Sequence, residues 1–334
     1  MQAMVLSAFG QPLALREVPT PAPGAAEVLV RVRACGLCGS DLKIAGGKIS
    51  TAPLPHILGH EIAGEVVQCG EGASEEWMQK RVIAHIYNSC GNCGACKNGS
   101  YNLCQSLQGR LGFELPGGLA QYICVQARNL VPVPDNVDDV QACIVPCAML
   151  AIYHAIQRAN ISHNDHVVML GVGGLGIHGI QFLSGMGVDV TAVDISPEKR
   201  VFARKFGAFS TMSYDDFICN NGKYTVILDN VAKPSVAAAC MKKLGKNGRY
   251  IMVGYAPGVE FPFDSEYMHL NETQIVGTRN GTMQELSEIL RLLSSNAVQS
   301  IVDRVLPLHR TNEALELVRE GNAVGRVVLS VDNA

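Results

Sequence analysis

Apolar and polar positions along the chain fall into two textures. Residues 28–33, Val-Leu-Val-Arg-Val-Arg, alternate with a period of two, the mark of a half-buried strand. Short runs at 61–68, 81–86 and 119–125 read the same way, with glycine-rich turns between them, and 5–9 reads as a first strand. Together they predict a mostly β first domain. Residues 139–158 carry several alanines and one proline, Pro146, and predict a helical passage out of it. From 166 onward apolar strands at 166–170, 189–194, 209–212, 224–229, 248–254 and 274–277 alternate with helical stretches at 175–186, 197–206 and 234–244. Such alternation predicts an α/β unit built on a doubly wound parallel sheet. Amphipathic helices at 283–294 and 311–320 and a strand at 326–331 complete the chain. There is no internal repeat and no low-complexity linker.

Composition narrows the class. The 334 residues are 48% hydrophobic and 17% charged, with a net charge of -3. That suits a packed enzyme of about two domains and gives no reason to expect nucleic acid or an anionic membrane as partner. No run of about 18 apolar residues is expected to span a membrane. Residues 1–12 lack a basic end followed by a long apolar core, so a secretory signal is not expected. Twelve cysteines are therefore read as reduced thiols and metal ligands, which places the chain in the cytoplasm.

The strand at 166–170 runs directly into Gly171-Val172-Gly173-Gly174-Leu175-Gly176, and a helical pattern follows. Gly171 suits the tight turn, Gly173 the approach of a pyrophosphate, and Gly176 close helix packing, with the helix N-terminus supplying amide donors. The next strand ends at Asp194, 18 residues past Gly176, where a carboxylate bonds a ribose 2′-hydroxyl and repels a 2′-phosphate. NAD is favoured; Arg200 keeps NADP open.

Cys90, Cys93, Cys96 and Cys104 form C-x2-C-x2-C-x7-C within a lobe at 88–106. Four closely spaced thiolates on turns suit a closed, structural zinc site. Buried thiols or disulfides, and an iron–sulfur cluster, are the alternatives. Cys69, Cys124, Cys143, Cys219 and Cys240 belong to no motif and are read as packing residues. His85 and His178 likewise stay structural.

Three further segments matter: Cys35-Gly-Leu-Cys38-Gly-Ser40-Asp41, Gly59-His60-Glu61 and Val145-Pro146-Cys147-Ala148. In this order, with the cysteine lobe and glycine loop, the whole chain resembles the zinc-dependent alcohol dehydrogenases of the medium-chain dehydrogenase/reductase superfamily. The resemblance implies a GroES-like, mostly β catalytic domain at 1–148, a Rossmann nucleotide-binding domain at 149–278, and a segment at 279–334 returning to the catalytic domain. It implies two zinc ions per chain, NAD, an alcohol or ketone as substrate, and a homodimer or homotetramer.

Residue by residue, Cys38, His60 and Cys147 match the ligands of a catalytic zinc, with a glutamate in place of Cys147 in many polyol-type relatives. Glu61 matches a carboxylate beside the metal, Ser40 the hydroxyl that bonds the substrate oxygen, and Asp41 the partner that orients a histidine ligand. Gly171, Gly173, Gly174, Leu175 and Gly176 match the cofactor loop, Lys199 the adenosine-ribose contact, and Arg326 an arginine approaching the pyrophosphate. Read without the family, Cys35 and Cys38 are also a C-x-x-C pair and Arg326 an ordinary strand charge.

The chain departs from the family at Lys43, where many relatives carry a relay histidine. The family's Gly-Asp-Arg-Val also appears as Gln79-Lys80-Arg81-Val82. A zinc-free reductase of a C=C bond or quinone, and a non-catalytic NAD-binding relative, are the rival functions.

Overall fold

The structure is a computed structural model that describes residues 1–331. It divides into two compact units, one of Met1–Leu150 with the chain from Gly281 onward, the other of Ala151–Asn280.

The first unit is built on a seven-stranded sheet. Its strand order is Val302–Pro307, Arg326–Ser330, Glu27–Leu37, Glu61–Cys69, Arg81–Ala84, Leu130–Pro132, with Tyr122–Gln126 also paired to Glu27–Leu37. The alternation at 28–33 marks the middle of an eleven-residue strand whose last positions, Ala34–Leu37, are buried throughout. That strand is central because it is flanked on both edges. Gly36 stands opposite Glu61 on one side, and Val328 stands opposite Gly36 on the other. A smaller sheet pairs Ala14–Glu17, Gln2–Leu6 and His56–Ile57. The expected first strand at 5–9 lies earlier, at Gln2–Leu6, because Gly10 turns the chain with a φ of 77°. Met4, Leu37, Leu58, Ile62 and Leu119 lie at the centre of this unit's core.

The second unit is a six-stranded parallel sheet in the order Ser210–Met212, Val190–Val193, Val167–Leu170, Tyr224–Asp229, Leu244–Met252, Gln274–Gly277. The chain winds outward from Val167–Leu170 in both directions, which makes the end of that strand a topological switch point. All four of its residues are buried, and each such side chain contributes about 1.5–3 kcal/mol of burial. Leu244–Met252 starts four residues before the apolar run at 248–254, because Gly245-Lys-Asn-Gly248 conceals its first half in the sequence.

Asp139–Arg158 is the helical passage read at 139–158. Its 20 residues are long and apolar enough, by length and composition, to cross a membrane. Yet 61% of its apolar window is buried inside the molecule, so its hydropathy is that of a core helix. It is not one regular helix. An α-helix at Asp139–Cys143 gives way to a π-helical turn at Val145–Met149 and then an α-helix at Leu150–Arg158. Pro146 has no N–H to give the ladder, and the Met149 N–H reaches back to the Ile144 carbonyl.

Candidate functional site

Five segments of the first unit meet around Cys38. The strand Glu27–Leu37 ends one residue before it, and Cys38 is the N-cap of the helix Gly39–Ala45. Asp41 accepts the Cys38 N–H at 2.8 Å on one carboxylate oxygen, satisfying an amide at the helix start. Its other oxygen lies 3.3 Å from Nδ1 of His60. One buried carboxylate therefore fixes both the turn bearing Cys38 and the ring of His60. Cys147 arrives on the π turn, whose extra residue shifts the side-chain register of the helix.

The donor atoms of Cys38, His60, Glu61 and Cys147 all lie within 4.8 Å of one another. Two thiols, an imidazole and a carboxylate in so small a volume suit a zinc ion. Their electrostatics describe a site that wants a cation. The hydrogen bond between the two thiols draws Cys38 well below the usual thiol range and lifts Cys147. Burial alone would lower His60, but Asp41 and then Cys38 outweigh it and raise it. Burial pushes Glu61 up to about 7, with Arg326 opposing.

Arg326 makes an ion pair that no sequence motif announces. The antiparallel register of Arg326–Ser330 on Glu27–Leu37 brings its guanidinium to Glu61, Nη2 to Oε1 2.8 Å, with the side chain 8% exposed. It thus contacts a carboxylate beside the metal donors. Gly36 makes room for this pair, since a Cβ there would meet Oε2 of Glu61 at 2.2 Å. Ser40 is half-buried on the first turn of the helix after Cys38. Lys43 is half-buried on the same helix, its pKa lowered by burial and by Lys48, with Cys38 opposing.

The four-cysteine lobe is a second donor set in the same unit, its sulfurs also within 4.8 Å of one another. Cys96 Sγ is 3.5 Å from Cys93 Sγ and 3.9 Å from Cys90 Sγ. A single tetrahedral ion with Zn–S near 2.3 Å needs sulfur–sulfur edges of about 3.8 Å. A disulfide needs about 2.05 Å, and these thiols are unpaired. Backbone N–H groups of Asn92 and Cys93 point at Cys90 Sγ, and that of Cys90 at Cys104 Sγ. Backbone donors from Gln105 and Cys96 hold Cys93 down to about 6. Of the cysteines read as packing residues, Cys143 and Cys240 are buried, whereas Cys219 is exposed.

In the second unit the glycine loop follows Val167–Leu170 and opens the ten-residue helix Gly176–Gly185. Gly171 has a φ of 84°, the left-handed turn its sequence position implies. A Cβ on Gly176 would strike the Gly171 carbonyl at 2.1 Å, whereas one on Gly173 would meet nothing within 4 Å. The loop is closed at Gly176 and open at Gly173, as a cradle for a pyrophosphate requires. Asp194 accepts N–H bonds from Val172 and Ser196, both at 2.8 Å, and stands at the end of the neighbouring strand. Arg200 is turned onto the carbonyls of Asp194 and Ile195. Leu175 is the N-cap of the helix, and Gly174 offers its carbonyl to Nδ1 of His178 at 2.7 Å. Lys199 lies half-buried on the helix Pro197–Lys205, its N–H bonded to Ser196.

Sequence reasoning missed Asn230. It follows the strand Tyr224–Asp229, and its amide donates to the carbonyls of Leu170 and Gly171. A lone asparagine after a buried strand carries no spacing signal.

Comparison with known proteins agrees with both halves of this geometry. Residues 24–135 match the alcohol dehydrogenase GroES-like domain, and 174–295 match the zinc-binding dehydrogenase family. The chain belongs to the zinc-dependent alcohol dehydrogenase family. An alcohol dehydrogenase of Geobacillus stearothermophilus is 34% identical over 99% of this chain and 100% of its own. The structure of acetophenone reductase from Geotrichum candidum in complex with NAD superposes with a TM-score of 0.92 at 33% identity, over 99% of this chain and 97% of that one. Acryloyl-coenzyme A reductase of Metallosphaera sedula is 29% identical over 99% of this chain and 100% of its own. The fold class is thus α/β, a GroES-like domain plus a Rossmann domain.

Proposed function

We propose that this dehydrogenase is a zinc-dependent oxidoreductase that moves hydride between NAD and a small-molecule alcohol or ketone, with a secondary or polyol-like alcohol as substrate. The observation that carries the reading is the convergence of Cys38, His60, Glu61 and Cys147, with Asp41 fixed behind His60. Cys38, His60 and Cys147 would hold the catalytic zinc, with Glu61 as an exchangeable carboxylate, and Cys90, Cys93, Cys96 and Cys104 would hold a structural zinc. A zinc ion there would supply Lewis-acid polarisation of the alcohol oxygen, and NAD the hydride acceptor.

The residues of the chain do the rest. Asp41 orients His60 and raises its basicity as a ligand. The hydroxyl of Ser40 bonds the substrate oxygen and takes its proton on to water. Lys43, on the next turn, is not the relay itself; its positive charge favours loss of that proton. Arg326 balances the charge of Glu61. Gly171, Gly173, Gly174, Leu175 and Gly176 cradle the pyrophosphate, Asp194 bonds the adenosine ribose, and Lys199 lies beside it. Asp194 favours NAD, because a 2′-phosphate would meet its carboxylate.

Metal analysis tests the assignment. We expect about two zinc ions per chain, and about one in Cys38→Ala with folding intact; one ion in both would exclude a catalytic zinc. The acryloyl-coenzyme A reductase relative favours one second reading, reduction of a C=C bond. A substrate panel with NADH separates the two by which class turns over. We further propose a homodimer or homotetramer, assembled through the edge strand Gln274–Gly277, and a cytoplasmic location, which suits twelve thiols free of disulfides.

A further inference from the structure

We infer that Phe113 and Arg110 form a buttress that sets the ring of His60 for its metal. The inference rests on His60 being a ligand of the catalytic zinc. Asp41 holds His60 at Nδ1 and Cys38 is its other side-chain partner, both contacts at the ring's edge. The Phe113 ring packs on the ring itself, with its centroid 5.1 Å from that of His60 and the two planes at 51°. Both side chains are buried, Phe113 4% and His60 1% exposed.

Phe113 is itself held. The guanidinium carbon of Arg110 lies 4.1 Å from the Phe113 centroid, within cation–π range. Glu114 grips Arg110 with both carboxylate oxygens and also accepts the Arg110 N–H at 3.0 Å. Thr51 donates at 2.8 Å to Oε1 of Glu114, the oxygen that also accepts from Nη2 of Arg110. Arg110 and Thr51 hold the Glu114 carboxyl down to about 2 against its partial burial, so the pair stays ionised across the neutral range. The loop carrying these residues is also clamped to the chain just before His60. Gly118 N–H bonds the Gly59 carbonyl at 2.9 Å, and Leu119 N–H the Leu58 carbonyl at 3.0 Å. A side chain on Gly112 would collide with Gly59 at 2.6 Å. Backbone and ring therefore meet the same ligand from one loop, while Asp41 meets it from another element.

Phe113 and Arg110 are positioning residues, since neither offers a donor atom to the metal cluster. The test uses the full-length protein loaded with zinc or cobalt. The cobalt spectrum of the His60 site is isolated as the difference from Cys38→Ala, which keeps the four-cysteine site. Phe113→Leu removes the ring and keeps an apolar side chain; it is expected to weaken metal affinity at this site about 10–100-fold and to shift the cobalt bands. Arg110→Met, nearer the surface, is expected to weaken it about tenfold, and Phe113→Tyr, which keeps the ring, to restore wild-type values. Zinc in the four-cysteine site is expected to be unaffected. A Phe113→Leu protein with a lowered melting temperature but unchanged affinity and bands would reduce Phe113 to core packing and overturn the buttress. Should Phe113→Leu fail to fold, Arg110→Met with unchanged affinity and bands would overturn it instead. Equal cobalt spectra in the wild type and Cys38→Ala would refute the ligand assignment itself, a different failure.

Discussion

At the scale of the residue, Lys43 stands where the family resemblance leads one to expect a relay histidine. It is half-buried, and burial and Lys48 lower its pKa while Cys38 opposes. If its charge assists loss of the substrate proton, Lys43→Met should raise the apparent pKa on the kcat/KM profile by about one unit. An unchanged profile would make Lys43 a solvated side chain. The candidate metal donors were legible in the sequence because each sits in a short motif: Cys38 before Ser40-Asp41, His60 before Glu61, Cys147 after Pro146. The contact of Arg326 was not. It depends on the register of a strand almost three hundred residues away from Gly36, and no local pattern encodes a register. Phe113 was equally hidden, since an aromatic in a glycine-rich loop announces neither its neighbour nor its role.

At the scale of the element, the four-cysteine lobe has little regular structure to hold it, one short helix at Gly94–Lys97 and one 3-10 turn at Tyr101–Leu103. An ion held by the four thiols would add its binding free energy to folding there. Cys96→Ser is expected to lose one zinc per chain and lower the melting temperature; unchanged metal content and melting would refute the site. In the second unit the strand Val167–Leu170 and the helix Gly176–Gly185 followed the apolar alternation, while the helices Tyr214–Cys219 and Ser265–Asn271 did not show in it. Other elements escaped it. Val302–Pro307 is a mostly exposed strand with charges at Asp303 and Arg304, so it has no apolar period. The π turn around Cys147 is invisible to periodicity, which marks the helix but not the extra residue.

At the scale of the whole molecule, the first unit is assembled from two distant stretches of chain, and His85 joins them. Its Nε2 lies 3.0 Å from the carbonyl of Gly281, where the returning segment begins. Burial lowers His85 to about 4, so the folded protein holds it neutral. The unfolded chain, near 6.5, takes up the proton first, and the stability contributed by neutral His85 is complete above that value and lost as pH falls toward about 4. Between pH 7.5 and 5 this group should cost about 2 kcal/mol of unfolding free energy. Denaturant titrations should show that loss in the wild type and a flatter dependence in His85→Gln; parallel slopes would discount the contact. The candidate metal donors belong to the first unit and the glycine loop to the second. The most direct test is the rate of NADH formation when a secondary alcohol is added with NAD, measured before and after removal of the labile zinc by a chelator. We predict NADH formation that disappears on chelation, returns with zinc, and is far weaker with NADP. Turnover of alcohols that survives loss of that zinc, or that requires NADP, would contradict the account.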